Sequence, residues 1–288
     1  MPGKHKIAGV VVLFNSSVEV IDNIRTYLDQ LDVLYAIDNS ILPNDDLVRE
    51  LRLLPKVQII LLGKNLGIAH AFNIGASLAL AQGHDLILTM DDDSRAEPEM
   101  IGHFVRFLSS CDDQSAIGIL SPNHCYDGYT DELEIGNREI LTAISSGSLV
   151  SLRCYEKVGP FLEPLFIDYV DFEYCLRLRE QRYKIFRVGD AVLYHQLGKM
   201  ESRKILGVKV GVTHHSPLRL YYRTRNRFFV ASEYVFKFPG FVVRDVMILV
   251  NEIIKILLFE TNRGEKLAMM TRGFGDFLSQ REGEYRPR

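Results

Sequence analysis

Apolar residues in the first ninety positions come in short runs separated by polar, helix-periodic stretches. Ile7 to Phe14 is continuously apolar and rich in β-branched residues, the pattern of a strand buried on both faces in a parallel sheet. Asn15-Ser16-Ser17 reads as the cap of a helix over Val18 to Leu28. Val33 to Ile37 predicts a second strand, Asp45 to Leu54 a short helix, and Val57 to Leu62 a third strand. Asn65-Leu66-Gly67 opens an Ala-rich helix reaching Ala81, and Asp85 to Met90 is a fourth strand. Four rounds of strand and helix predict an α/β fold with a mostly parallel, Rossmann-like central sheet.

In such sheets ligands bind outside the carboxyl ends of the strands. The polar clusters collect at those ends: Asn15, Asp38-Asn39-Ser40, Asn65 and Asp91-Asp92-Asp93-Ser94. Three carboxylates after a buried strand need a partner, because unpaired buried charge is costly. Mg2+ and Mn2+ prefer carboxylate, water and phosphate oxygens, so an Asp-x-Asp here fits a cation that also grips a diphosphate. The same acids would also suit the entrance to the helix expected after Pro98. From the tetrad alone the two readings are level. No G-x-G-x-x-G follows the first strand and no G-x-x-x-x-G-K-[ST] occurs, which argues against a dinucleotide Rossmann domain and a P-loop.

The second half is less periodic. Ile117 to Leu120 and Ala143 to Val150 predict strands, the second interrupted at Gly147, where either a bulge or close approach of a ligand is expected. Ser121 to Asn137 reads as a loop or hairpin. Asp168-Tyr169-Val170-Asp171-Phe172-Glu173 precedes a helix over Tyr174 to Gln181. Two strand-like runs, Tyr183 to Val188 and Ala191 to Tyr194, then deliver His195. From Ser216 the chain turns aromatic and basic. Phe241 to Phe259 is strongly apolar, with Arg244, Asp245, Asn251, Glu252 and Lys255 spaced to keep one face polar. That helix could pack on the core, pair with another subunit or lie on a membrane.

Composition narrows the field. The 288 residues carry a net charge of −3, with 47% hydrophobic and 25% charged residues, a globular profile without the basic surplus of a nucleic-acid binder. Cys111, Cys125, Cys154 and Cys175 lie far apart, as reduced thiols of a cytoplasmic protein do. The N-terminal apolar run lacks the pattern of a secretory signal.

The ordered set Val12-Leu13-Phe14-Asn15, Ile37-Asp38-Asn39-Ser40, Asn65-Leu66-Gly67-Ile68-Ala69 with Asn73-Ile74-Gly75, and Asp91-Asp92-Asp93-Ser94 resembles glycosyltransferase family 2, inverting enzymes of the GT-A fold. Ser146-Gly147-Ser148, Phe161-x-Glu163, the stretch Phe166 to Arg177, His195, and Tyr221-Tyr222 with Arg225-Asn226 resemble its bacterial rhamnosyltransferases. The resemblance covers roughly residues 6 to 230. It implies a GT-A domain over 1–215, with a nucleotide half of about 1–120 and an acceptor half of about 121–215, and a C-terminal helical extension over 216–288.

By the same resemblance Asp38 contacts the pyrimidine, Asp91 the ribose or donor sugar, and Asp93 the Mg2+ or Mn2+ on the diphosphate. Asn15, Asn65, Gly67, Asp92, Ser146, Gly147 and Arg225 join the nucleotide-sugar set. His195 either completes the metal shell or is a structural histidine, and Arg225 either meets phosphate or packs. His214 and His215 are further candidates for phosphate or acceptor contact. Asp171 aligns with the catalytic base. Val170 stands where the family often has Glu, which leaves Asp168 and Glu173 as rival bases, and Asp92 stands where it often has Gln. The implied donor is dTDP-L-rhamnose and the implied acceptor a saccharide, free or lipid-linked, of a cell-surface polysaccharide. The alternatives are a UDP-hexose-dependent enzyme of the same fold and a non-catalytic sugar-nucleotide-binding scaffold.

Overall fold

In the computed structural model, residues 5–126, 135–195, 201–205, 208–212 and 215–287 are described. The chain folds as two units: Met1–Glu163 with Asp171–Gln196, and Pro164–Val170 with Leu197–Arg288.

The first unit opens with strand β1 (Ile7–Leu13), helix α1 (Val20–Leu28), β2 (Val33–Asp38), α2 (Asp45–Leu53), β3 (Val57–Leu61), α3 (Ile68–Ala81) and β4 (Leu86–Asp91). It continues with β5 (Ser94–Ala96), α4 (Met100–Ser110), β6 (Ile117–Tyr126), β7 (Arg138–Glu139), β8 (Ser148–Ser151), α5 (Leu152–Val158), α6 (Val170–Glu180) and β9 (Lys184–His195). The sheet runs β3-β2-β1-β4-β8-β6-β9-β5, with β7 also on β9. β1, β2, β3 and β4 are mutually parallel, as are β6 and β9; β8 is antiparallel between the two groups. The expected α/β architecture with a mostly parallel sheet is therefore present.

β-branched β1 is central and buried because helices cover both faces of the sheet. α3 lies flat on it: a Cβ on Gly75 would stand 2.6 Å from Val10 Cγ2. β2 lies on one side of β1 and β4 on the other, so the chain reverses its direction of winding there. The crevice above that reversal is where open α/β sheets place ligands.

Several local expectations change in detail. α1 begins at Val20 after Glu19, with no side-chain cap, so Asn15-Ser16-Ser17 is a loop, not a helix cap. β8 starts only at Ser148, because Gly147 has φ +76° and forms a turn before the strand. β9 is one irregular twelve-residue strand, not two.

The second unit holds an antiparallel pair, β10 (Glu201–Ile205) and β11 (Val208–Val212), and three helices: α7 (Pro217–Tyr234), α8 (Pro239–Phe259) and α9 (Arg263–Leu278). Ser216 caps α7 through its hydroxyl, with Pro217 in the first turn. Leu220, Ile256 and Met270 form a core among these helices. No helix among the described residues is long and apolar enough to cross a membrane.

Candidate active site

The rim is set by strand register. β1 pairs Leu13 with Asp38 on one side and Val12 with Asp91 on the other. The two acids thus flank the end of β1, about 10 Å apart at two strand spacings. Asn15 follows in a left-handed turn (φ +52°), and its N–H donates to Ser40 Oγ at 2.7 Å. Ser40 N–H donates to Asp38 Oδ1 at 2.8 Å, and Asp38 is buried. Asn39 takes Leu66 N–H on Oδ1 at 3.2 Å and donates from Nδ2 to Gly67 O at 3.1 Å. Asn65 Oδ1 accepts Gly67 N–H at 3.0 Å. Gly67 ends the loop at φ +87°, a conformation few other residues adopt readily. Side-chain amides and hydroxyls thus sew the loops after β1, β2 and β3 into one surface.

The acidic tetrad does not cap a helix. β4 ends at Asp91, Asp92 and Asp93 form a tight turn, and Ser94 opens β5. α4 starts later, behind Glu99, without a side-chain cap. The helix-entrance reading is therefore overturned. Asp92 accepts a short hydrogen bond from Ser16 Oγ, and its carbonyl accepts from Asn23 Nδ2 at 2.7 Å. Burial pushes the Asp92 carboxyl up, the Ser16 hydroxyl opposes this, and the adjacent Asp93 charge adds to it. Like charges so crowded favour a counter-cation.

β5 pairs antiparallel with β9 and sets Ser94 opposite His195. The His195 backbone therefore lies across from the residue next to Asp93; its side chain is outside the described residues. The Asp93 carboxylate is a hard oxygen donor of the kind Mg2+ or Mn2+ prefers, and alone it is an incomplete set that leaves the other positions to phosphate and water. Among the described residues no group of three His, Cys, Asp or Glu could enclose a metal unaided.

A second feature joins this turn to α6. The turn Ser145-Ser146-Gly147-Ser148 is held by Thr89 of β4, whose Oγ1 reaches Ser145 O at 2.5 Å and Ser148 O at 3.1 Å, while Gly147 N–H donates to Thr89 O at 2.8 Å. Ser146 Oγ lies 2.7 Å from Ser94 Oγ, and its carbonyl 2.9 Å from His124 Nε2. Ser145 N–H donates to Asp171 Oδ2 at 3.3 Å, and Phe172 N–H donates to Asp171 Oδ1 at 2.9 Å. One turn therefore touches both the acidic tetrad and Asp171. Thr89, His124 and Ser145 escaped the sequence reading. Its one signal was Thr89, a lone hydroxyl inside an apolar strand.

The rival bases differ from Asp171. Glu173 is buried and gives both oxygens to Arg177, at 2.9 and 2.8 Å. Arg177 is itself anchored to the carbonyls of Val158 and Pro160. Glu173 is thus committed to an ion pair and is no longer a rival. In the second unit, Asp168 (φ +58°) has Oδ1 3.4 Å from Arg219, while its buried Oδ2 has no hydrogen-bond partner among the described residues. Its neighbours Phe166 and Tyr169 are also left-handed, at +68° and +66°. Asn226 Nδ2 supports this strained loop by donating to the carbonyls of Leu165, Ile167 and Asp168 at 2.7–3.0 Å.

Arg225 leaves the nucleotide set. It is 1% exposed, and its guanidinium donates to the carbonyls of Gly283, Pro164 and Leu165 and to Asn226 Oδ1. Such a buried, committed cation braces the loop and has no face for a phosphate. His215 packs beside Arg223, with Arg223 Nη1 3.2 Å from its Nε2. Burial and the Arg223 charge push its pKa down to about 3, so it is neutral. His214 and most of the loop from Cys125 to Arg138 lie outside the described residues.

The glycosyl transferase family 2 model matches residues 10–157, from β1 through the Ser145 turn to α5. The chain is also 33% identical over 241 residues to the dTDP-rhamnosyl transferase RfbF of Shigella flexneri, covering 77% of this chain and 78% of that one. The chain belongs to glycosyl transferase family 2. Solved structures agree on the fold. The transferase superimposes on S. aureus TarS 1-349 in complex with UDP-GlcNAc with a TM-score of 0.61 at 14% identity, covering 96% of this chain and 81% of that one. Against GalNAc-T7 with UDP, GalNAc and Mn2+ the TM-score is 0.61 at 12% identity, covering 97% and 57%. The chain spans about half the length of a longer TarS structure, 49%. The enzyme is a GT-A glycosyltransferase.

Proposed function

We propose that this transferase moves L-rhamnose from dTDP-L-rhamnose to a saccharide acceptor of a cell-surface polysaccharide, with inversion at the anomeric carbon and with Mg2+ or Mn2+. The observation that carries the chemistry is the Ser145–Ser148 turn, which ties Asp171 and the Asp91–Ser94 tetrad to one support. The donor rests on the likeness to RfbF.

Inverting transfer needs an acceptor hydroxyl to attack opposite the leaving nucleotide. A hydroxyl is a weak nucleophile, so a carboxylate must take its proton during attack. Asp171 fills that role, oriented by the N–H groups of Ser145 and Phe172. Asp38 faces the base, Asn15, Asn65 and Gly67 close on the nucleoside, and Asp91 reaches the ribose or sugar. Ser146 and Gly147 line the donor side. Asp93, with His195, would hold the cation, which stabilises charge on the departing diphosphate. The transition state has oxocarbenium character, as in glycoside hydrolysis. The GT-A assignment spans 1–215, the helical extension 216–288, and the enzyme works in the cytoplasm.

Titration calorimetry with dTDP-rhamnose, dTDP and UDP-glucose, each with and without Mn2+, tests the donor. Metal-dependent binding that favours dTDP-rhamnose is expected. A preference for UDP-glucose would transfer the reading to a UDP-hexose, in keeping with the UDP-GlcNAc complex of TarS. Binding without turnover would leave the scaffold. Asp171→Asn should lower kcat by about 100-fold or more with donor affinity spared; near-normal turnover would move the base to Asp168.

A further inference from the structure

Helix α8 is inside out. Its acids point inward: Asp245 is 3.1 Å from Arg227 Nε and accepts the Tyr169 hydroxyl at 2.7 Å. Glu252 pairs with Arg223 and Arg227, both at 3.3 Å. The Arg227 side chain is only 2% exposed. The outward positions are apolar: Val243, Val246, Met247, Val250, Ile254 and Leu258 are 44–60% exposed. At 100° per residue these six occupy about a third of the helix circumference. The spacing that marks α8 as amphipathic is therefore real, but the apolar stripe, which a helix packed in water would bury, faces out.

Two aspects of charge say what covers that stripe. Arg244 and Lys255 border it along one flank, while both acids of α8 lie on the opposite side. Residues 215–288 hold 13 Lys and Arg against 8 Asp and Glu, although the whole chain is at −3. Two copies of so basic a segment repel each other, whereas anionic headgroups attract it. A bordering Arg or Lys can reach headgroup phosphates while its stem lies along acyl chains. We propose that α8 lies flat in the interface of an anionic lipid bilayer, with the stripe from Val243 to Leu258 inserted and Arg244 and Lys255 at headgroup level. This goes beyond the donor assignment and holds whatever sugar is transferred.

The test is co-sedimentation of the full chain with phosphatidylcholine vesicles, with and without phosphatidylglycerol, beside sedimentation velocity without lipid. The wild type should bind the phosphatidylglycerol vesicles, and less so in high salt. V246Q/V250Q/I254Q changes only half-exposed side chains, and its partitioning should fall by roughly 1,000-fold, about tenfold per side chain. The single variant V250Q, with its far-UV spectrum as the folding check, should lose about tenfold. No binding by the wild type, or equal binding by the folded variants, overturns the proposal. So does a wild-type dimer that the triple variant dissociates, since the stripe would then belong to a second copy.

Discussion

Gly147→Ala probes the turn on which the site depends. Two costs are legible. Gly147 has φ +76°, where an L side chain costs roughly 1–2 kcal/mol. A Cβ there would also lie 2.9 Å from both Leu193 Cδ2 and Pro122 Cγ. The leucine methyl can give way and the proline ring cannot, so overpacking adds about 1–3 kcal/mol. The sum is about 2–5 kcal/mol, and its midpoint lowers Tm by roughly 7–14 °C for a unit of this size. Gly63→Ala is the control: φ is +66° and nothing among the described residues lies within 4 Å of its would-be Cβ, so only the strain of about 1–2 kcal/mol applies. Calorimetry of both variants reads the difference. The displaced turn should also lower kcat by about tenfold or more, since it carries the N–H that orients Asp171. Equal Tm losses in the two variants would refute the packing reasoning. A large loss of Tm with unchanged kcat would refute the link from turn to Asp171.

Asn226→Leu should destabilise the second unit by about 3 kcal/mol or more, because three carbonyls of a left-handed loop lose their donor; urea unfolding checks it. His215 titrates near 3 in the folded state, below its ordinary value of about 6.5. The unfolded chain therefore binds the extra proton, so His215's contribution to stability is complete above pH 6.5 and is lost as pH falls toward 3. His215→Gln should flatten that part of the Tm profile. Glu173→Gln should cost stability by breaking the buried pair with Arg177, yet leave the pH dependence of kcat unchanged, whereas Asp171→Asn should abolish its lower limb.

Sequence alone determines the alternation of strands and helices, because burial on both faces and 3.6-residue periodicity are local patterns. It also determines that the polar clusters share a rim, since parallel strands send their carboxyl ends to one side. Family membership follows from the same ordered residues. Tertiary structure decides what local pattern leaves degenerate. Asp91–Ser94 before a helix fits either a cap or a strand turn, and only the pairing of β5 with β9 selects the turn. Asp171 and Glu173 are alike in sequence, but Arg177 lies one helical turn from Glu173 and the Ser145 turn meets Asp171. Arg225 is a cation by sequence and a buried brace by its carbonyl partners. The periodicity of α8 defines two faces without saying which points inward; that choice belongs to Arg223 and Arg227, whose buried charges draw Asp245 and Glu252 to the inside.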